Sequence, residues 1–169
     1  STHNNNGTIY GATWTTGHSG FALDFDGVSD YVDFDAHSSD LGFNKTDDMI
    51  FSFWFKSSQS TQGIFYSTSA DTGTNPEMQM FLTPNGSITF KIRVTSCGFT
   101  LYTNNSYNNN AWHYVEIWYN GITNEPTVTI YVDNVLDSTI TAWVCPFYNY
   151  EFTLTKIGKK SNESTDYFD

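Results

Sequence analysis

The sequence predicts an all-β domain whose antiparallel strands form two packed sheets or a barrel. Apolar and polar residues alternate with a period of two along many short segments, and the spacing of an amphipathic helix is almost absent. Clusters of Gly, Asn, Asp, Ser and Thr separate these segments, as expected where a chain turns between strands. In chain order, strands are predicted at residues 8–10, 21–25, 31–34, 49–56, 63–67, 78–82, 88–94, 99–102, 112–119, 127–132, 135–136 and 152–157.

The strand predicted at residues 49–56 shows the alternation well. One face consists of Phe51, Phe53 and Phe55, and the other of Ser52, Trp54 and Lys56. Because successive side chains of a strand point to opposite sides of the sheet, the three phenylalanines are expected in the core.

Two hairpins follow from turn chemistry. The strands at 78–82 and 88–94 flank Pro84, Asn85 and Gly86, and an Asn-Gly pair favours a tight turn. The strands at 127–132 and 135–136 flank Asp133 and Asn134, which tolerate a positive φ angle. Each pair is therefore expected to be antiparallel.

Length and charge narrow the classes of function. The 169 residues predict one domain spanning residues 1–169. Seven Lys plus Arg against 18 Asp plus Glu give a formal net charge of −11, which argues against nucleic acid or an anionic membrane as a partner. No apolar run approaches the roughly 18 residues of a membrane span, and the first residues lack the pattern of an export signal.

The two cysteines, Cys97 and Cys145, are too few for a zinc site and form no C-x-x-C motif. A disulfide between them would close a loop of about 49 residues and add roughly 4 kcal/mol of stability. The alternative is two buried free thiols, since sequence does not show whether the side chains face each other.

A catalytic pair of acids is the first feature to seek in a small β domain that hydrolyses glycans. The glutamates are Glu77, Glu116, Glu125, Glu151 and Glu163. No two of them lie two or four residues apart on one strand, and Glu116 alone falls within a predicted strand. There is also no G-x-S-x-G motif, and the histidines lack zinc-binding spacing, so His113 is read as structural. These residues predict a protein that is not an enzyme.

Calcium is an open question, because five aspartates crowd residues 24–35 around the turn at Asp26 and Asp30. Loop carboxylates and turn carbonyls are ligands that calcium prefers. The spacing does not fit an EF-hand loop. Calcium binding by Asp26 and Asp30 is therefore a hypothesis, with Asp26 the leading ligand.

Three aromatic side chains are candidates for contact with a ligand. Trp54, Tyr114 and Trp118 fall on the faces of their strands that point away from the predicted core. On one sheet they would form a platform on which sugar rings stack. The alternative is that they pack beneath long loops, such as the Asn-rich segment at 104–110.

Several segments together resemble laminin-G-like domains of the concanavalin A-like lectin and glucanase superfamily. They are residues 6–14, 20–32, 51–55, 111–115, 131–134 and 157–160. The resemblance implies a jelly-roll sandwich of two curved antiparallel sheets, a non-catalytic module of secreted or cell-surface proteins that binds glycans or proteins. It also implies a calcium site at the Asp-Gly turn, which corresponds to Asp26 here.

Members of this family usually begin with a Trp-x-Phe strand before the segment that starts here at residue 6 and end with a further strand, and we expect this chain to lack both. An unpaired sheet edge invites a neighbouring chain or a missing segment to supply a strand. Two alternatives to the recognition module follow. One is a structural or filament-forming subunit assembled by strand donation, and the other is an accessory domain of a larger polysaccharide-degrading enzyme.

Overall fold

The computed structural model describes residues 6–34, 48–69, 77–94, 97–120, 125–141, 154–161 and 166–169, without the side chains of Val94 and Cys97. Every regular element in these residues is a β-strand, which confirms the all-β prediction. The strands are β1 (Thr8–Tyr10), β2 (Thr13–Thr16), β3 (Phe21–Asp24), β4 (Tyr31–Phe34), β5 (Met49–Phe55), β6 (Gly63–Ser69), β7 (Glu77–Leu82), β8 (Ile88–Val94), β9 (Cys97–Tyr102), β10 (His113–Asn120), β11 (Thr127–Val132), β12 (Val135–Thr141) and β13 (Leu154–Ile157). No helix in these ranges is long and apolar enough to cross a membrane.

The strands form two large antiparallel sheets and one isolated hairpin. The seven-stranded sheet has the order β1-β4-β13-β6-β7-β8-β9, and the four-stranded sheet has the order β12-β11-β10-β5. The remaining two strands, β2 and β3, pair only with each other in the part of the chain that is described. Of the two architectures that the alternation allows, the chain therefore adopts the jelly-roll sandwich and not a barrel.

The core lies between the two large sheets. On the four-stranded sheet, Val115, Ile117, Val128 and Ile130 are completely buried. Fully burying such a side chain stabilises a fold by about 1.5–3 kcal/mol. Aromatic rings then join the sheets, and the ring centroids of Phe53 and Phe65 lie 5.0 Å apart.

The predicted turns form as expected. Gly86 has a φ of 85°, and Asp133 and Asn134 have φ values of 53° and 64°, which are the left-handed conformations that a tight hairpin requires. The alternation of residues 49–56 is confirmed as well, since Phe55 is buried and Phe51 and Phe53 are half-buried. The exposed strand β2 was not predicted, because its Thr-rich sequence carries no buried apolar stripe.

One lateral side of the sandwich is closed by hydrogen bonds. There the Asp137 carboxylate on β12 accepts bonds from the backbone N–H of Asn104 at 2.5 Å, the Asn105 side-chain amide at 2.9 Å and the Tyr107 hydroxyl at 2.6 Å. These bonds tie the segment after β9 to the edge of the facing sheet. An Asn-rich loop is well suited to this role because amides donate and accept in turns.

On the opposite lateral side, the described part of the larger sheet extends beyond the smaller one. Phe51 on β5 packs against Tyr66 on β6, so β5 faces β6, and β13, β4 and β1 extend beyond β5 in the larger sheet. A cavity of about 1000 Å³ lies here, lined by the β2–β3 hairpin, β5 and core residues such as Phe65 and Met80. The two sheets thus match in width on one side and differ on the other.

Candidate functional site

The three aromatic residues singled out from the sequence lie on one sheet face. Trp54 on β5 stands opposite Tyr114 on β10, with ring centroids 5.2 Å apart, and Trp118 lies four residues along β10. Trp54 is 43% exposed and Trp118 is 46% exposed, while Tyr114 is half-buried. The Asn-rich segment at 104–110 bonds to Asp137 through Asn104 and to the Gln59 carbonyl through Asn108.

A fourth ring completes what we call the aromatic strip: Trp54, Tyr114, Trp118 and Tyr131. Tyr131 on β11 stands opposite Glu116, and its ring centroid lies 5.5 Å from that of Trp118. Tyr114 and Trp118 are separated by four residues of one strand, which corresponds to about 14 Å. The strip is therefore long enough to contact more than one ring of an oligosaccharide or an extended stretch of peptide.

Polar groups interrupt the aromatic strip. Glu116 lies between Tyr114 and Trp118 on the same face, and its Oε1 accepts a hydrogen bond from the Tyr114 hydroxyl at 3.0 Å. Ser52 stands opposite Glu116 on β5. A carboxylate and a hydroxyl beside flat aromatic rings can together bind a sugar. The aromatic rings stack on the apolar face of the sugar, and the polar groups form hydrogen bonds with its hydroxyls.

Sequence reasoning missed two members of this site, His18 and Tyr131. The imidazole of His18 stacks on the Trp54 indole with ring centroids 3.6 Å apart and planes at 7°. This contact joins residues 36 positions apart in sequence, so no local sequence pattern predicts it. Tyr131, by contrast, alternates with Ile130 and Val132 and could have been assigned to the outer face.

The turn at Asp26 is held by its own carboxylate. Asp26 Oδ1 accepts hydrogen bonds from the backbone N–H groups of Val28, Ser29 and Asp30 at 2.8, 2.8 and 3.1 Å. These bonds, those from Ser29 and Val28 above all, lower the pKa of Asp26 to about 2. In return, Asp30 Oδ2 accepts the backbone N–H of Asp26 at 3.1 Å. The two aspartates predicted as calcium ligands are thus neighbours that brace one turn.

This donor set fits a calcium ion only in part. Two carboxylates are close together, and Asp26 is exposed, so its Oδ2 can reach an ion while also accepting the Ser29 hydroxyl at 3.1 Å. Yet the described residues contain no cluster of three or more Asp, Glu, His or Cys side chains placed to hold a metal. An ion here would need backbone carbonyls and water for most of its six to eight ligands.

The outward face of the seven-stranded sheet carries a charged network. Glu77 is buried and lies 2.7 Å from the Lys91 ammonium and 3.3 Å from the Arg93 guanidinium. Farther along the sheet, the Lys156 ammonium pairs with Asp33. Each of these carboxylates faces a cation, so the network is largely neutralised. Sequence reasoning did not find it, because its members come from four strands.

Two acidic residues of this face, Glu77 and Asp33, are farther apart than a glycosidase pair. Glu77 on β7 and Asp33 on β4 are separated by β6 and β13. Three strand spacings of about 4.8 Å place them roughly 14 Å apart, whereas paired catalytic carboxylates lie about 5–9.5 Å apart.

His113 is buried at the start of β10. Its Nδ1 lies 2.8 Å from Asp133 Oδ2 and its Nε2 lies 3.0 Å from Asn109 Oδ1, while Asp133 Oδ1 accepts the backbone N–H of Tyr114. The histidine thereby links the β11–β12 turn to the segment before β10. This geometry agrees with a structural role for His113.

The predicted disulfide falls outside the described residues. Cys145 is not among them, and only the backbone of Cys97 is described. The pairing of Cys97 with Cys145 therefore stays a prediction.

Comparison with known proteins identifies the family. The model of the laminin G domain matches residues 55–144, which is more than half of the chain. A search among curated proteins found no match.

Several solved structures are similar in fold. The sialidase module CBM40 of Ruminococcus gnavus bound to α2,3-sialyllactose has a TM-score of 0.59 at 11% identity, covering 72% of this chain and 69% of that one. The endo-β-1,4-glucuronan lyase of the fungus Trichoderma reesei has a TM-score of 0.62 at 13% identity, covering 95% and 78%. Domains LG4-5 of the mouse laminin α1 chain have a TM-score of 0.55 at 13% identity, covering 70% of this chain and only 30% of that one.

These identities are low, so the three structures support the shared sandwich and not a shared function. The match over residues 55–144 is the stronger finding, because it includes β6 to β12 and so takes in most of both sheets. On this evidence the chain belongs to the laminin G domain family.

Proposed function

We propose that this chain is a non-catalytic extracellular module that binds a glycan on the aromatic strip. The observation that carries the proposal is the alignment of four rings on one face of the four-stranded sheet, two of them indoles that are 43% and 46% exposed. Large aromatic side chains on a surface are strong binding anchors, since they bury much area and lose little conformational entropy. The location outside the cell rests on membership in the laminin G family.

Two further findings support the proposal. A structurally similar module from Ruminococcus gnavus is bound to sialyllactose, so this architecture is compatible with glycan binding. The acids on the larger sheet, Glu77 and Asp33, are each paired with a cation and lie too far apart for glycoside hydrolysis. The structural similarity to a glucuronan lyase also fits an accessory role, in which this module is one domain of a longer polysaccharide-degrading enzyme.

A protein ligand is the second candidate, and a specific observation favours it. Ile50 and Leu136, which flank the strip, are 63% and 54% exposed. Aliphatic side chains around aromatic anchors are common at the centres of protein interfaces.

Glycan-array screening followed by titration calorimetry tests the proposal. Trp118→Ala and Trp54→Ala should each weaken binding of the best glycan about tenfold or more, a loss of about 1.4 kcal/mol or more. Trp14→Ala is the matched control, because Trp14 is 67% exposed but lies on the separate β2–β3 hairpin. Equal affinity of the Trp118→Ala variant and the wild type would contradict the assignment to the strip, and binding to a protein without any glycan would favour the second candidate.

A further inference from the structure

The Glu116 carboxylate lies at the centre of the aromatic strip and is half-buried. Its outer-face neighbours along β10 are Tyr114 and Trp118. Across the sheet it stands between Ser52 on β5 and Tyr131 on β11. All four of these neighbours are uncharged, so the strip has one negative charge in the middle of rings and hydroxyls.

The described residues do not neutralise the charge of Glu116. Its Oε1 accepts the Tyr114 hydroxyl, whereas within the described ranges its Oε2 has no hydrogen-bond partner and the carboxylate has no ion pair. On the larger sheet, by contrast, Glu77 and Asp33 each pair with a lysine ammonium. Burying part of an unpaired carboxylate is unfavourable, because the charge loses water and gains no cation. A ligand with a cationic group would supply the missing partner.

The rings around Glu116 attract the same charge. The face of an indole or phenol ring carries negative potential and attracts an ammonium group that lies over it. The Trp118 and Tyr131 rings, with centroids 5.5 Å apart, lie on one side of Glu116 along the strip. Tyr114 and Trp54, with centroids 5.2 Å apart, lie on the other side. An ammonium bound to the carboxylate would therefore stand between two pairs of rings.

Other charges near the strip do not reverse this preference. Along β5, Lys56 lies four residues from Ser52, which corresponds to about 14 Å from the position opposite Glu116. Asp133, whose side chain is 47% exposed, accepts the backbone N–H of Tyr114 and places a second carboxylate at that end, although it also bonds to His113. The formal net charge of −11 acts in the same direction. The strip should therefore attract cations and repel anions.

We propose that the aromatic strip selects glycans that contain an unacetylated amino sugar. The sugar ammonium binds the Glu116 carboxylate, and the sugar rings stack on the aromatic side chains to either side. This inference rests on the proposed glycan-binding function and specifies the chemical class of glycan. A neutral glycan lacks the charge that pairs with Glu116, and a uronic acid or sulfated glycan would bring a like charge to it. Glu116 is thus the residue that determines specificity, while the rings supply contact area.

Three oligosaccharides that share one backbone test the charge preference. They are the β-1,4-linked tetramers of glucose, glucosamine and glucuronic acid, which are neutral, cationic and anionic. Titration calorimetry at about pH 6 keeps amines protonated and carboxyl groups ionised. The wild-type chain should bind the glucosamine tetramer about tenfold more tightly than the glucose tetramer. It should bind the glucuronic acid tetramer most weakly of the three.

Two charge-removing variants show whether Glu116 causes the preference. Glu116→Gln keeps the size of the side chain and an oxygen that can accept the Tyr114 hydroxyl. It should weaken binding of the glucosamine tetramer about tenfold and leave the glucose tetramer unchanged. Asp24→Asn is the matched control, because it removes the same charge from an exposed position on β3, outside the strip. It should leave all three affinities unchanged. Circular dichroism verifies that both variants fold.

A lysine tetrapeptide separates recognition of an amino sugar from attraction of any ammonium group. It carries as many ammonium groups as the glucosamine tetramer but has no sugar ring to stack on the aromatic side chains. It should therefore bind more weakly than the glucosamine tetramer. If it binds as tightly, the strip recognises lysine side chains, and the amino sugar proposal is overturned in favour of a protein ligand.

The remaining outcomes also decide the question. A preference for the glucosamine tetramer that Glu116→Gln abolishes and Asp24→Asn preserves supports the proposal. No binding of this tetramer, equal or tighter binding of the other two, or a preference that survives Glu116→Gln overturns it. In those cases, loss of the binding of any other glycan in Trp118→Ala would still support the proposed function. Absence of binding to every glycan would overturn the proposed function as well.

Discussion

The ring of His18, in the turn between β2 and β3, lies stacked on the indole of Trp54, with centroids 3.6 Å apart. This contact fastens the hairpin to the four-stranded sheet, although no strand pairing joins the two in the part of the chain that is described. A two-stranded hairpin alone is marginally stable in water, so side-chain contacts of this kind decide where it lies. His18 also shields one face of a residue in the proposed glycan site.

His18→Ala should therefore uncover Trp54 and loosen the hairpin. We expect the accessibility of tryptophan fluorescence to acrylamide to increase, because one indole face loses its aromatic cover. In a Trp54→Phe background the same substitution should change quenching little. An equal increase in both backgrounds would show that the effect arises from other tryptophans and not from this stack.

The Asp26 turn should titrate in strong acid. Its hydrogen bonds lower the pKa of Asp26 to about 2, below the ordinary value of 3.8, so the ionised form is favoured in the folded state. A depressed folded pKa means that the stabilisation is present above about pH 4 and is lost as the pH falls through about 2. Carboxyl NMR titration should give a midpoint near 2 for Asp26. A midpoint near 4 would mean that the three backbone bonds are absent in solution.

Calcium binding at Asp26 and Asp30 stays a prediction, and the structure suggests its strength. With two carboxylates rather than three or more, we expect a dissociation constant in the range of about 10⁻⁴ to 10⁻³ M seen in weak extracellular sites. Millimolar calcium should raise the melting temperature and chelator should reverse this, with no response in Asp26→Ala. Asp24→Ala, an exposed neighbour, is the control. Identical melting with calcium and with chelator, together with no binding heat, would refute the site.

Burial should shift the ionisation of Tyr119 to higher pH. This residue is buried in the core, and desolvation raises its pKa to about 12 from the ordinary value of 10. A raised folded pKa means that the contribution to stability is complete below about pH 10 and is lost as the pH rises through about 12. The phenolate absorbance at 295 nm should therefore show a late step that disappears in Tyr119→Phe. If the step that disappears in Tyr119→Phe instead has the ordinary tyrosine pKa, Tyr119 is not buried as described.

Asp137 should contribute more to the free energy of unfolding than an exposed aspartate usually does. Its carboxylate accepts bonds from Asn104, Asn105 and Tyr107, and the loss of several such bonds in Asp137→Ala should cost about 1–3 kcal/mol of unfolding free energy. Tyr107→Phe removes one of them and should cost about 0.5–1.5 kcal/mol. Urea denaturation measures both. Equal costs for the two variants would mean that the bonds from Asn104 and Asn105 contribute nothing.

The sequence predicted much of the fold because period-two alternation reports directly which side of a strand is buried. Phe55 is in the core, the two hairpins turn where Asn-Gly and Asp-Asn occur, and the outer positions of β5 and β10 carry Trp54, Tyr114 and Trp118 as expected. Strand β2 was not predicted, because all four of its residues are exposed. Apolar and polar residues alternate only where one face of a strand is buried.

By itself, the pattern of residues determined that this chain forms antiparallel strands in two packed sheets or a barrel and that its aromatic side chains divide into an inner and an outer set, since both follow from side-chain polarity at fixed spacing along a strand. Only the tertiary structure decided which outer rings meet. The stacking of His18 on Trp54, the approach of Tyr131 to Trp118 and the pairing of β5 with β10 depend on how distant strands are ordered in the sheets. That order is set by packing and pairing between distant segments, which local spacing does not encode.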